Sequence, residues 1–169
     1  MRLANRKLFC LGWLSLFCGI AFYVIARPSG STYFLGKLLH PSFASQIIKL
    51  PSLIQGSFPD FVHPFAFSLI GMGLLSLTRA SRLCICSSFL LMNLFFKIGQ
   101  NYKHAFAAQV PKWFGGIPIM ENTGPFFLRG TFDVNDIFAM IVGAAAAFAI
   151  SELLIIQQRE GKHDREKSP

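Results

Sequence analysis

Seven polar side chains stand at the edges of long apolar runs in this sequence: Asp60, His63, Lys97, Gln100, Arg129, Asp133 and Asp136. Asp60 and His63 are three residues apart, as are Lys97 and Gln100, so each pair shares a face if its segment is helical. A carboxylate beside an imidazole can assist proton transfer, and His63 with Asp133 and Asp136 supplies the ligand types that hold a divalent ion. Lys97 and Arg129 are cations suited to phosphate. The spacing specifies no reaction, because no nucleophile elbow, phosphate loop or His-Glu-x-x-His pattern accompanies these residues. No cofactor and no metal site is therefore expected, and no residue is assigned a catalytic role. Asp133 also has a simpler use as an N-cap, with Asp136 three residues later complementing the positive end of the helix dipole.

The segments that must position these groups are apolar. Of 169 residues, 53% are hydrophobic and only 14% charged, a balance that excludes an ordinary water-soluble domain. The 19 Phe residues are spread through every apolar run, as suits hydrocarbon. A net charge of +8 does not imply nucleic acid here, because the basic residues lie between apolar runs rather than on one water-facing patch; anionic lipid headgroups are the expected counter-charge. Cys10, Cys18, Cys84 and Cys86 all lie inside apolar runs, and Cys84-Ile-Cys86 has the wrong spacing for a zinc knuckle, so buried or lipid-facing thiols are expected.

The pattern predicts an all-α integral membrane bundle forming a single domain over 1–169, with four transmembrane helices at about 8–26, 59–77, 83–100 and 134–156. The first run exceeds the usual signal-peptide core and is read as a retained span. Outer loops are expected at 27–58 and 101–133, and a short charged, frayed tail at 157–169. Within the first loop, Phe43, Ile47, Ile48 and Ile54 recur at helix-like spacing and suggest a short interfacial helix. Pro59 opens the second span and Pro64 loosens its first turn, while Gly71 and Gly73 permit close helix contact. Trp113, Phe114, Phe126 and Phe127 in the second loop suit the headgroup region, as a lid or an anchor. The fourth span carries Ala139, Gly143, Ala147 and Ser151 at four-residue spacing, a stripe for close helix packing. Glu152 is placed to pair with Arg79 or Arg82.

Orientation follows from the basic residues. Arg2, Arg6 and Lys7, then Arg79 and Arg82, then Arg159, Lys162, Arg165 and Lys167 fall in three short segments on one side. The positive-inside rule makes that side cytoplasmic and places both chain ends there. The seven polar residues then share one level at the outer face, where ionisable groups usually mark a site.

In order and spacing these residues resemble the VanZ-like membrane proteins. The resemblance covers roughly residues 58–151 and rests on Pro59-Asp-Phe-Val-His63, on Gln100, and on Gly130-Thr-Phe-Asp-Val-Asn-Asp136 followed by Gly143. Asp60, His63, Gln100, Asp136 and Gly143 match the family's pattern. Lys97 stands where that pattern has an acid, as a fixed cation placed to pair with Asp133 or Asp136, and Met140 where it has an asparagine. The resemblance implies a protein of the bacterial cytoplasmic (inner) membrane and singles out Asp136 as the functional acid. The family takes its name from resistance to glycopeptide antibiotics, notably teicoplanin; an envelope membrane protein is implied more strongly than that activity.

The leading expectation is an outer-face pocket that binds a lipid or cell-wall-precursor headgroup, with Lys97 and Arg129 attracting phosphate and His63, Asp60, Asp133 and Asp136 orienting it. The alternatives are a membrane enzyme acting on a lipid-linked substrate, a small transporter, or an assembly partner packing through the small-residue stripe. Membrane lipids, a lipid-linked precursor, and a homo-oligomer or another membrane protein are the partners these readings allow.

Overall fold

The structure, a computed structural model, describes residues 3–26, 52–75, 78–117 and 120–167, with side chains over 5–22, 56–75, 78–117 and 120–161. Of the expected interfacial helix, Phe43, Ile47 and Ile48 lie outside these residues, and Ile54 falls in the helix that begins at Ser52. Among the described residues the fold is all-helical. Four long helices, α1 (Leu3–Ala26), α2 (Ser52–Leu74), α3 (Arg79–Asn101) and α6 (Val134–Lys167), are joined by two short ones, α4 (Lys103–Gln109) and α5 (Thr123–Arg129). Single 3₁₀ turns at Lys112–Gly116 and Met120–Asn122 lie between α4 and α5. Of the long helices, α3 and the Val134–Gly161 part of α6 are long and apolar enough to cross a membrane.

Contacts between helices fix their directions. Asn5 donates to the Leu75 carbonyl at 2.8 Å, Phe9 lies against Gly73, and Gly19 lies against Val62, so α1 and α2 run antiparallel. The Phe67 and Phe89 rings stack at 5.9 Å while Lys97 reaches Asp60, making α2 and α3 antiparallel. Lys97 meets Asp136, and Arg82 meets Glu152, making α3 and α6 antiparallel. The start of α1, the end of α2, the start of α3 and the distal part of α6 thus share one end of the bundle.

Glycine sets how closely these helices approach. A Cβ at Gly73 would lie 2.6 Å from the Phe9 backbone nitrogen, and one at Gly143 would overlap the Phe61 carbonyl oxygen. Neither neighbour is a flexible side-chain tip, so the backbones themselves would have to separate. α2 lies centrally between α1, α3 and α6 and buries Val62, Ala66, Leu69 and Met72 at helical intervals. Leu8, Leu69, Met72, Cys86 and Ala147 form a core cluster drawn from all four long helices.

α3 has the opposite distribution. Its buried residues are Arg82, Cys86, Lys97, Gly99 and Gln100, whereas Leu83, Leu91, Met92, Phe95 and Ile98 are exposed. In water this arrangement would leave apolar surface uncovered and place charge inside, reversing the usual preference. Of the cysteines, Cys86 is buried and Cys10, Cys18 and Cys84 are exposed, all as free thiols.

Several helices extend past the expected spans. Residues 52–58, expected in a loop, belong to α2, because Pro59 and Pro64 remove backbone donors without ending the helix. Residues 157–167, expected to fray, continue α6. The segment between α3 and α6, expected as a loop, also contains substantial helix, docked on the end of α3 by an aromatic cluster: Phe95 with Phe106 at 5.4 Å, Phe96 with Phe127 at 6.0 Å, and Phe106 with Phe127 at 5.4 Å. Gly99 permits this docking, since a Cβ there would overlap the Phe127 ring.

Candidate functional site

Three helices deliver charged side chains to one point. Lys97, near the end of α3, lies between Asp136 in the first turn of α6, with Nζ 2.5 Å from Oδ2, and Asp60 on α2, with Nζ 3.5 Å from Oδ2. Ser57, one turn before Asp60, donates its hydroxyl to Asp136 Oδ1 at 3.0 Å. Lys97 is 7% exposed and Asp136 5%. Lys97 therefore does not run outward to an aqueous interface, as long cationic side chains near helix ends commonly do. Its charge is balanced inside the bundle, and Asp136 is the closer partner.

The helix start that carries Asp136 is fixed separately. Asp133 Oδ1 accepts from the Asn135 backbone N–H at 2.9 Å and from its side-chain amide at 3.1 Å. This is the N-cap geometry expected from sequence, and it occupies the Asp133 carboxylate at an exposed position. Asp136 points inward from the same turn. The two acids, three residues apart, thus have different roles.

Gln100 follows Lys97 by three residues on the same face of α3 and is 7% exposed. Its side chain packs directly on Gly130, where a Cβ would overlap it. Gly130 opens the four-residue irregular segment 130–133 between α5 and α6. Gln100 Oε1 is buried and has no hydrogen-bond donor among the described residues.

His63 and Arg129 are not drawn into this cluster. His63 is exposed, with its ring 6.2 Å from Phe67 on its own helix, and Arg129 is exposed in the last turn of α5. The divalent-ion arrangement of His63, Asp133 and Asp136 does not assemble: no group of three or more His, Cys, Asp or Glu side chains suited to a metal occurs among the described residues. An open depression lined by Asn101, Tyr102, Lys103, His104 and Ala105 lies just beyond Gln100, at the junction of α3 and α4.

A second charged cluster closes the other end of the bundle. Arg82 Nη2 and Nε both donate to Glu152 Oε1, the latter at 3.2 Å, and Arg79 Nε lies 3.4 Å from Glu152 Oε2. Arg82 is buried, while the Arg79 side chain is largely exposed. Fifteen residues separate Arg82 from Lys97, and sixteen separate Asp136 from Glu152, rises of about 22 Å and about 24 Å. The two clusters therefore pin α3 and α6 in one register.

Along α6, Ala139 is half-buried and Gly143, Ala147 and Ser151 are buried within this chain. Gly143 packs on Phe61, and Ser151 donates to the Phe148 carbonyl at 2.7 Å. Within this chain the stripe therefore serves close helix packing, with Gly143 set against α2. Ser57 and Gly130 were not singled out from the sequence. Ser57 carried a weak signal, since it precedes Asp60 by one helical turn, but it fell in a segment expected to be a loop. Gly130 entered only as the first residue of the Gly130–Asp136 stretch, with nothing to mark its contact with Gln100, which is distant in the chain.

Comparison of the chain with protein-family models, with curated proteins and with solved structures finds no match.

Proposed function

We propose that this chain is a four-span protein of the bacterial cytoplasmic membrane, with both ends cytoplasmic, that binds a lipid or cell-wall-precursor headgroup at its outer face. The observation that carries the reading is the Asp60–Lys97–Asp136 cluster, buried across three helices at one end of the bundle. Helix packing by itself does not call for such a cluster, because a buried ion pair is often no more stabilising than apolar side chains of equal volume. Ionisable groups kept at membrane depth are costly and usually mark a site or pathway.

The surroundings agree with this reading. α3 turns its apolar side chains outward and its polar ones inward, as a helix in lipid does. Arg6, Lys7, Arg79 and Arg82 gather at the opposite end, and by the positive-inside rule this supports a cytoplasmic placement of that end. Trp113, Tyr102 and Phe132 are exposed at the cluster's end and suit a headgroup layer. The likeness to VanZ-like proteins points to the same envelope setting.

Native mass spectrometry of the detergent-purified protein tests the proposal. Wild type should retain phospholipid or added polyprenyl diphosphate through delipidating detergent at about one per chain, and Asp60→Asn combined with Arg129→Ala should retain less. Equal retention by both proteins, or none by wild type, would remove the proposal.

A further inference from the structure

We infer that the outer-face site reads a hydrogen-bond donor on the headgroup, an ammonium or hydroxyl, rather than its phosphate. This rests on the headgroup-binding reading and specifies which end of the ligand enters.

The charge that would draw phosphate inward is already used. Lys97 Nζ contacts the carboxylates of both Asp60 and Asp136, so an anion arriving there would meet two negative groups around one positive one. Like charges at such distances disfavour a second anion strongly where water is scarce. One turn further along the same face, Gln100 Oε1 is a buried acceptor with no donor among the described residues. A buried carbonyl oxygen left without a donor costs free energy that an incoming N–H or O–H recovers.

The cover over Gln100 is suited to admitting such a group. Gly130 lies directly on the glutamine side chain, and the 130–133 segment it opens is irregular chain between two helices. Residues 131–133 are exposed. Arg129, exposed immediately before Gly130, offers a cation outside the acid-bounded cluster. A zwitterionic headgroup would place its ammonium or hydroxyl toward Gln100 and its phosphate toward Arg129. Donor recognition by Gln100 and phosphate contact by Arg129 divide the ligand between two residues that the Gly130 junction brings together.

A methylation series of one lipid tests this at constant charge, removing N–H donors stepwise. The full chain is reconstituted in nanodiscs containing phosphatidylethanolamine, its N,N-dimethyl derivative or phosphatidylcholine, and retained lipid is counted by native mass spectrometry after detergent exchange. Wild type should retain the ethanolamine lipid over the choline lipid roughly tenfold, as for a hydrogen bond to a charged group, with the dimethyl lipid between them. Gln100→Leu, which removes the acceptor, should reduce the ratio to near one, while Gln100→Glu, which keeps an acceptor, should preserve it. If Gln100→Leu fails to fold, Gln100→Glu and the wild-type series decide the matter. Displacement of the retained lipid by soluble glycerophosphoethanolamine would show that a free headgroup fills the site, and resistance to it that the lipid is the source; donor chemistry stands in either case. Equal wild-type retention of all three lipids would overturn donor recognition yet leave headgroup binding intact, and so would a preference unchanged in Gln100→Leu. Retention of no lipid would remove both.

Discussion

Lys97→Met is the most informative single change. It keeps an unbranched side chain of similar length but removes the cation that contacts Asp60 and Asp136. Asp136 is 5% exposed and would keep the Ser57 hydroxyl as a partner, so its carboxylate would be left buried with its charge uncompensated by Lys97. Removing one member of a buried pair costs about 3–5 kcal/mol, more than a hundredfold in the folding equilibrium. The double change Lys97→Met with Asp136→Asn removes both charges while leaving an amide that can still meet Ser57, and most of the loss should be recovered. Equilibrium unfolding in mixed detergent micelles, followed by circular dichroism, measures all three proteins and the Asp136→Asn single variant as a double-mutant cycle. A Lys97→Met protein within about 0.5 kcal/mol of wild type would refute the buried cluster, since that value belongs to an exposed pair. A stable double variant that no longer retains lipid would separate the cluster's part in binding from its part in folding.

Other consequences follow from the same geometry. Arg82→Ala should destabilise by about 3 kcal/mol, because it leaves Glu152 without its buried partner, whereas Arg79→Ala at a mostly exposed position should change stability by less than about 0.5 kcal/mol; unfolding titrations distinguish them. Gly143→Ala should cost about 1–3 kcal/mol, because its Cβ meets the Phe61 carbonyl, while Gly161→Ala, with open space around it in the same helix, should stabilise by up to about 1 kcal/mol. Single cysteines introduced at Ser81 and at His104 in a cysteine-free background should differ in labelling by a membrane-impermeant maleimide on intact cells, with only the His104 position reacting. The reverse pattern would invert the proposed orientation.

Much of the fold was legible because helix formation and membrane partition depend on local composition. The apolar runs marked the four long helices, and Asp133 was recognisable as an N-cap because its partner is two residues away. Glu152 could be paired with Arg79 and Arg82 because a short link and antiparallel packing leave few alternatives. The ends of α2 were less legible: proline marks a helix start in many sequences, yet Pro59 and Pro64 sit inside this one, where helix packing supports the turns that lose a hydrogen bond.

For the site, the sequence by itself determined which side chains reach one end of the bundle, since the order of antiparallel helices places them at one level. It did not determine which of them meet. Asp60 and His63 are three residues apart, yet Asp60 contacts Lys97 while His63 is exposed beside Phe67. Asp133 and Asp136 have the same separation, yet only Asp136 enters the bundle. Contact between helices depends on their rotation about their own axes, and that rotation is set by close approaches such as Gly143 on Phe61 and Gly73 on Phe9. Those approaches join residues far apart in the chain. The tertiary structure alone therefore decided that Lys97 pairs with Asp136 and Asp60 rather than with Asp133, and that the acceptor left in need of a donor is Gln100.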